Sequence, residues 1–250
     1  LRLTLPATHI LLEDVVCFFP SLDRTSSGKQ HPIFLAETKV ITYAQFQCFI
    51  DAPDGWANPT WWQGLAATAE HRAQAGEQRW PIANRPRERV SWLDAMAFCR
   101  WLSQRLGFEV TLPTEQQWER AARWAQGLVY PWGNDYKVGF ANIDEQNNKV
   151  GANYLRSTSA VGMYPQGASS EGVLDMCGNV WEWCLNEYSN PKNIQAEGDN
   201  KRVVRGGSWN YNEANARAAI RGIDHVDDRN NDTGFRLVSS APLFSARVSG

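Results

Sequence analysis

Twelve tryptophans in 250 residues constrain this chain more than any other feature. An indole buries a large apolar area, yet its N–H must find an acceptor once it leaves water. A chain so rich in indole is expected to carry little regular structure and to fill an irregular core with large side chains. An aromatic-lined sugar or cation site is the alternative. Most of the tryptophans fall inside patterned segments, which favours the core. A hydrophobic fraction of 43% supplies the rest of it.

Two segments combine helical periodicity with start signals. Ser91 and Asp94 read as a capping box, with Ala95, Phe98, Cys99 and Leu102 on one apolar face and Gly107 as the stop. Thr114 and Gln117 form a second box. Trp118, Ala121 and Ala122 face inward behind it, and Gly127 is expected to close that helix. Thr42 reads as an N-cap before Tyr43, Phe46 and Ile50. Residues 10–19 and 32–40 read as strands around a polar loop at 21–30. The Pro/Gly/Trp-rich stretch 53–64 reads as a loop packed through Trp56, Trp61 and Trp62. From Tyr130 onward Gly, Asn, Pro and Ser dominate, broken by brief apolar strands at 172–176, 180–184, 203–205 and 234–238. That pattern means short strands joined by long ordered loops. No repeat or low-complexity linker divides the chain, so residues 1–250 read as a single α+β domain with two to three helices.

Charge and cysteine content exclude several classes. A formal net charge of −2 gives no reason to expect a nucleic-acid or bilayer partner. No apolar run approaches the roughly 20 residues of a membrane span. The chain starts at Leu1 rather than Met, as a processed product or fragment would, and no signal peptide is visible there. Cys17, Cys48, Cys99, Cys177 and Cys184 are odd in number, irregular in spacing and free of any Cys-x-x-Cys pair. They read as packing residues in a reducing, cytoplasmic compartment rather than as disulfides or a zinc site. His9, His31, His71 and His225 show no ligand-like spacing. The Arg205-Gly206-Gly207-Ser208 stretch lacks the lysine and following helix of a phosphate loop.

Six motifs, in order, resemble the formylglycine-generating enzyme family. They are Val90-Ser91-Trp92-Leu93-Asp94-Ala95 with Phe98-Cys99-Arg100-Trp101-Leu102; Leu112-Pro113-Thr114-Glu115-Gln116-Gln117-Trp118-Glu119; Tyr130-Pro131-Trp132-Gly133-Asn134; Cys177-Gly178-Asn179-Val180-Trp181-Glu182-Trp183; Arg205-Gly206-Gly207-Ser208-Trp209; and Gly234-Phe235-Arg236. The resemblance implies a C-type-lectin-like fold of that type, loop-rich with short strands.

It also implies what is missing. Enzymes of the family hold copper with two cysteines just after the Gly-Gly-Ser-aromatic motif, because a soft thiolate pair selects Cu(I). Those positions fall on Tyr211 and Ala216, so no copper and no catalytic residue are expected. A copper-dependent formylglycine-generating oxidase with relocated chemistry remains the enzymatic alternative, and a regulatory module of a larger signalling protein is another. The three-histidine site of related sulfoxide synthases has no counterpart among the scattered histidines.

The segment that follows is rich in Asn and Asp, and in the family it faces the substrate. It looks like the variable region of diversity-generating retroelement proteins, carried at 209–233. Framework positions read as Trp209, Arg217, Ala218, Ala219, Arg221, Asp227, Arg229, Gly234 and Phe235. The ligand-binding set reads as Trp209, Tyr211, Asn212, Glu213, Asn215, Gly222, Ile223, Asp224, Val226, Asp228, Asn231 and Asp232. Mixed aromatic anchors and adaptable hydrogen-bonders suit a protein or peptide ligand, and a glycan less well. An ordinary solvated loop held by Asx turns is the plain alternative. The resemblance further implies structural calcium. Asp175, Gly178, Val180 and Glu182 match one site, and Asn142 and Ile143, with Asn153, match part of a second.

Overall fold

The computed structural model describes residues 39–239 and the backbone of Phe34–Leu35. The strand expected at 10–19, the loop at 21–30 and Cys17 lie outside the described residues. Of the strand expected at 32–40, the described part is β1, Phe34–Leu35.

Helix α1, Tyr43–Asp51, begins at the capping box of Thr42 and Gln45 and buries Phe46 and Phe49, leaving Tyr43 and Ile50 half-buried. A 3-10 turn at Pro59–Trp62 buries Trp61 and Trp62, as the loop reading expected. A short helix α2, Ala69–Ala73, follows. Helix α3, Trp92–Leu106, has its Ser91–Asp94 capping box and ends at Gly107 in the left-handed conformation. Its first eight residues are buried on every side, as expected of a helix that runs through the core. Helix α4, Glu115–Arg123, starts at the Thr114–Gln117 box. It does not run on to Gly127. Trp124 takes a φ of 47° and its ring stacks under the Arg120 guanidinium at 4.1 Å, which ends the helix three residues early. The described residues thus hold four α-helices rather than two or three.

Two small sheets complete the frame. One orders β1, β7 (Val238–Ser239) and β2 (Val110–Thr111); the other orders β5 (Arg221–Asp224), β4 (Arg202–Arg205), β3 (Trp181–Glu187) and β6 (Thr233–Gly234). Residues 172–176 form no strand. Gly172 and Asp175 both have positive φ, which breaks the pleat. The strand expected at 234–238 is split between the two sheets, Gly234 closing β6 and Val238 opening β7.

The main core lies between α1, α3 and the four-stranded sheet, and its rings pack edge-on and stacked. Two fully buried indoles find acceptors: Trp92 Nε1 donates to the Cys184 carbonyl and Trp183 Nε1 to that of Val90, each at 2.9 Å. Beside the core, Arg205 is buried against Glu115 at 2.6 Å, and Arg236 against Glu182 at 2.5 Å. No helix among the described residues is long and apolar enough to cross a membrane.

Candidate functional site

The segment 209–233 leaves the four-stranded sheet after β4 and returns to it as β5 and β6. Its entry is a tight turn. Gly206 and Gly207 have φ of 96° and 74°, and a Cβ on Gly207 would stand 2.9 Å from the Ala216 Cα. Only glycine permits that approach. Trp209 is buried there, edge-on to Trp80 with centroids 5.4 Å apart, and its N–H points to the Asn231 carbonyl at 3.4 Å. The two ends of the segment are thereby joined. Asp232 accepts from the Ser208 hydroxyl at 2.9 Å, and its carbonyl accepts from the Trp181 N–H at 2.7 Å.

Tyr211 and Ile223 each stay 41% exposed. The Tyr211 ring stands edge-on to Trp181 at 5.5 Å, and the Tyr211 carbonyl accepts from the Asp144 N–H at 2.9 Å. Asn212 accepts from the Asn215 side chain at 2.8 Å. A second segment, 144–156, lies alongside: Asn147 accepts from Asn212 at 3.2 Å, Asn148 donates to Glu213 at 3.0 Å and Tyr154 donates to Asn210 at 3.0 Å. Trp80, Asn147, Asn148 and Tyr154 therefore share this face, and sequence reasoning missed all four. Their partners lie 56 to 129 residues away, a separation no local pattern spans; the aromatic Tyr154 among asparagines was the available hint.

Arg221 and Arg229 point inward, while Arg217 stays exposed. Arg221 bonds Glu115 at 2.5 Å, Arg229 bonds both oxygens of the buried Asp94 at 2.8 Å, and Arg217 donates to the Ala214 carbonyl at 2.9 Å. Asp224 and Asp232 keep no such partner. Burial, then the neighbouring charge of Asp228, pushes the Asp224 carboxyl up to about 6, and burial likewise raises Asp232. Partial burial and the negative charges of Asp232 and Asp224 raise the Tyr211 hydroxyl as well. Asp228 accepts from the His225 N–H at 2.9 Å.

Several assignments change. Val226, read as a ligand-binding position, is 3% exposed and part of the main core, with its carbonyl accepting from the Leu93 N–H at 3.2 Å. Arg217, Ala219 and Asp227, read as framework, are exposed. The alternation fails at these places because the segment follows turns rather than an extended pleat. Gly222 is half-buried, and a Cβ there would meet Val204 at 2.6 Å.

Of the two positions expected from the sequence to stand where copper ligands would, Tyr211 is exposed and Ala216 is fully buried against Gly207. Cys99, Cys177 and Cys184 are buried, and burial raises each thiol well above its ordinary value.

The residues matched to calcium divide. Both Glu182 oxygens are taken, by Arg236 and by the Trp118 N–H at 2.7 Å, so the carboxylate is already neutralised and does not fit a calcium ligand. Asp175 accepts from the Gly162 N–H at 2.6 Å, and burial pushes its carboxyl up to about 6. Among the described residues no group of three or more His, Cys, Asp or Glu is placed to hold a metal. Asn142 fits better. Its amide nitrogen is used by Ser157 and Asn179, while its Oδ1 is buried with no hydrogen-bond partner, an oxygen suited to a hard cation. Asn153 is exposed and bonded to Glu145 instead.

Solved structures share this architecture. Treponema denticola variable protein 1 superposes with a TM-score of 0.59 at 21% identity, covering 81% of this chain and 82% of its own. PvdO from Pseudomonas aeruginosa gives 0.61 at 22% identity, covering 88% of each chain. The fold is α+β and C-type-lectin-like, of the formylglycine-generating-enzyme type. Residues 24–241 match the sulfatase-modifying factor enzyme 1-like domain, and the chain belongs to that family. Inactive C-alpha-formylglycine-generating enzyme 2 of Bos taurus is 36% identical over 161 residues, 61% of this chain and 49% of that protein. Hercynine oxygenase of Mycobacterium tuberculosis is 32% identical over 243 residues, 82% of this chain and 52% of that protein. The chain thus spans about half the length of these two relatives.

Proposed function

We propose that this chain is a non-catalytic binding protein that presents the 209–233 face to a protein or peptide ligand. One observation carries the reading. Arg221 and Arg229 of the segment are spent on ion pairs behind it, while Tyr211 and Ile223 point out from a backbone tied at both ends. Such a surface is pre-organised, so little ordering cost opposes binding. An aromatic anchor among Asn and Asp side chains has the chemistry of a paratope. Trp209, Tyr211, Asn212, Glu213, Asn215, Gly222, Ile223, Asp224, Asp228, Asn231 and Asp232 form the face, with Trp80 and Tyr154 at its margin. Of these, Tyr211, Asn212, Glu213, Asn215, Ile223, Asp224, Asp228, Asn231 and Asp232 are the ones we read as diversified between copies of the gene; Trp209 is framework, and Gly222 has no room for a Cβ. A relative of the chain is itself named as an inactive enzyme, and thiolates are missing at Tyr211 and Ala216. Calcium, on this reading, is held at the Asn142 side chain and the Ile143 carbonyl and braces the neighbouring loops.

Selection of a peptide from a random display library against the purified chain tests the reading. Capture is expected to fail for the Tyr211→Ala/Ile223→Asp double variant while its melting temperature is unchanged. Equal capture by that variant overturns the assignment of the face. Stoichiometric uptake of Cu(I) with conversion of a cysteine peptide to an aldehyde overturns the non-catalytic reading. For calcium, the melting temperature is expected to rise on addition of the ion and to be insensitive to it in Asn142→Ala.

A further inference from the structure

The four-stranded sheet ends on two unlike edges. At β6 the edge is closed: Thr233 and Gly234 are buried, and a Cβ on Gly234 would stand 2.9 Å from the Arg87 carbonyl oxygen. At β5 it is open. The four residues of β5 pair with β4 on one side only, and alternate N–H and C=O groups of an edge strand turn outward. Among the described residues none supplies those outward groups with a hydrogen-bond partner. Arg221, the charge that could guard this edge, is turned back onto Glu115 and lies over the Tyr188 ring at 4.6 Å.

Successive side chains of a strand leave by opposite faces of the sheet. Gly222 faces Trp181, where an added Cβ would come within 3.3 Å of the ring, and Asp224 shares that face. Tyr211 stands on it too, edge-on to Trp181. Ile223 leaves by the other face, on which Arg221 reaches Glu115 at the start of α4. The two exposed anchors therefore lie on opposite faces of one sheet, and a ligand on either face alone reaches one of them. A strand laid along the edge reaches both, because its own side chains alternate in step with those of β5.

We propose that β5 is the docking edge, and that the ligand is an extended peptide that joins the sheet as a fifth strand, with an apolar side chain beside Ile223 and a lysine or arginine beside Asp224. This deepens the reading of 209–233 as the binding face and rests on it. Charge selects the basic residue. Asp228 and Asp232 lie close enough for their charges to act on Asp224, and they are bonded to the His225 N–H and the Ser208 hydroxyl rather than to a cation. The ion pairs of the segment belong to Arg221 and Arg229, on other carboxylates. The field of Lys201 reaches Asp224, but the two form no ion pair. A cation on the ligand is thus met by three carboxylates that lack one. The Tyr211 ring, on the same face as Asp224, offers that cation a second contact.

Selection from a random peptide display library against the full chain, followed by N-methylation of the captured peptides, tests the edge. Captured sequences are expected to be enriched in Lys and Arg and to alternate apolar with polar residues. N-methyl groups on alternate residues should weaken binding at least about tenfold in one of the two alternating sets, the one whose N–H groups meet β5, and less in the other. Hydrogen exchange of the complex should slow amides within 221–224 that are open in the free chain. Asp224→Asn should weaken a Lys- or Arg-bearing peptide about fivefold and its Glu-substituted counterpart not at all. Capture without basic enrichment, equal sensitivity to both N-methyl sets, or no slowing within 221–224 overturns the added strand and leaves the binding face standing. A library that yields no captured peptide takes the face down with it. A dimer in sedimentation that Ile223→Asp dissociates gives the edge to a second copy of the chain and overturns the proposal.

Discussion

Around α1 and α3 the chain packs ring on ring. Phe46, Phe49, Phe98 and Phe235 meet at centroid distances of 5.3 to 6.0 Å, with Trp56 and Trp101 at the same cluster. Around 209–233 it relies on directional bonds instead: backbone to backbone at Asp144–Tyr211, amide to amide at Asn212–Asn215, and carboxylate to guanidinium at Asp94–Arg229. Ring packing fixes a volume and tolerates no gap. Directional bonds fix a backbone and leave the outward side chains out of the accounting. A face supported from behind can therefore change its exposed residues without changing its shape.

Four substitutions break or sharpen that contrast. Trp183→Ala removes a fully buried indole and its bond to Val90, and chemical denaturation should register a loss of about 3–5 kcal/mol. Arg236→Ala leaves Glu182 buried without its cation; the same measurement should give about 3 kcal/mol. Thr114→Ala deletes one half of a capping box and should cost about 1 kcal/mol. On the face, Tyr211→Ala should fall within about 0.5 kcal/mol of the parent and yet abolish peptide capture. A loss at Tyr211 comparable with that at Trp183 would erase the distinction between the two regions.

The face also carries a pH signature. Folding raises the Asp224 carboxyl to about 6, above its unfolded value near 3.9. The folded state then holds this proton more tightly, so stability falls as pH rises from about 4 to about 6 and stays lower above that. Asp224→Asn is expected to raise the melting temperature at neutral pH and to match the parent near pH 4. A gain that persists at pH 4 assigns the effect to something other than charge.

The helix starts were legible because their chemistry is local: Thr42, Ser91 and Thr114 each bond a residue three positions on. The burial of Trp61, Trp62, Trp118 and Trp183 was legible for a similar reason, since few environments other than a core accept so much indole. Helix ends and brief strands were less so. Trp124 ends α4 through a contact with Arg120, and Asp175 breaks an apolar run that reads as a strand. Within the candidate site, the inward arginines and exposed Tyr211 were visible in the residue types, whereas the burial of Val226 was not.

By itself, then, the sequence determined where three of the four described helices start and that the interior had to be aromatic. Tertiary structure alone decided that Asn147, Asn148, Tyr154 and Trp80 join that face, that Glu182 belongs to Arg236, and that His71 stands between Asp94 and Arg229. The reason is range. Caps and periodicity act within a few residues along the chain, while a charge or an amide chooses its partner by distance in space, and chain order does not record that distance.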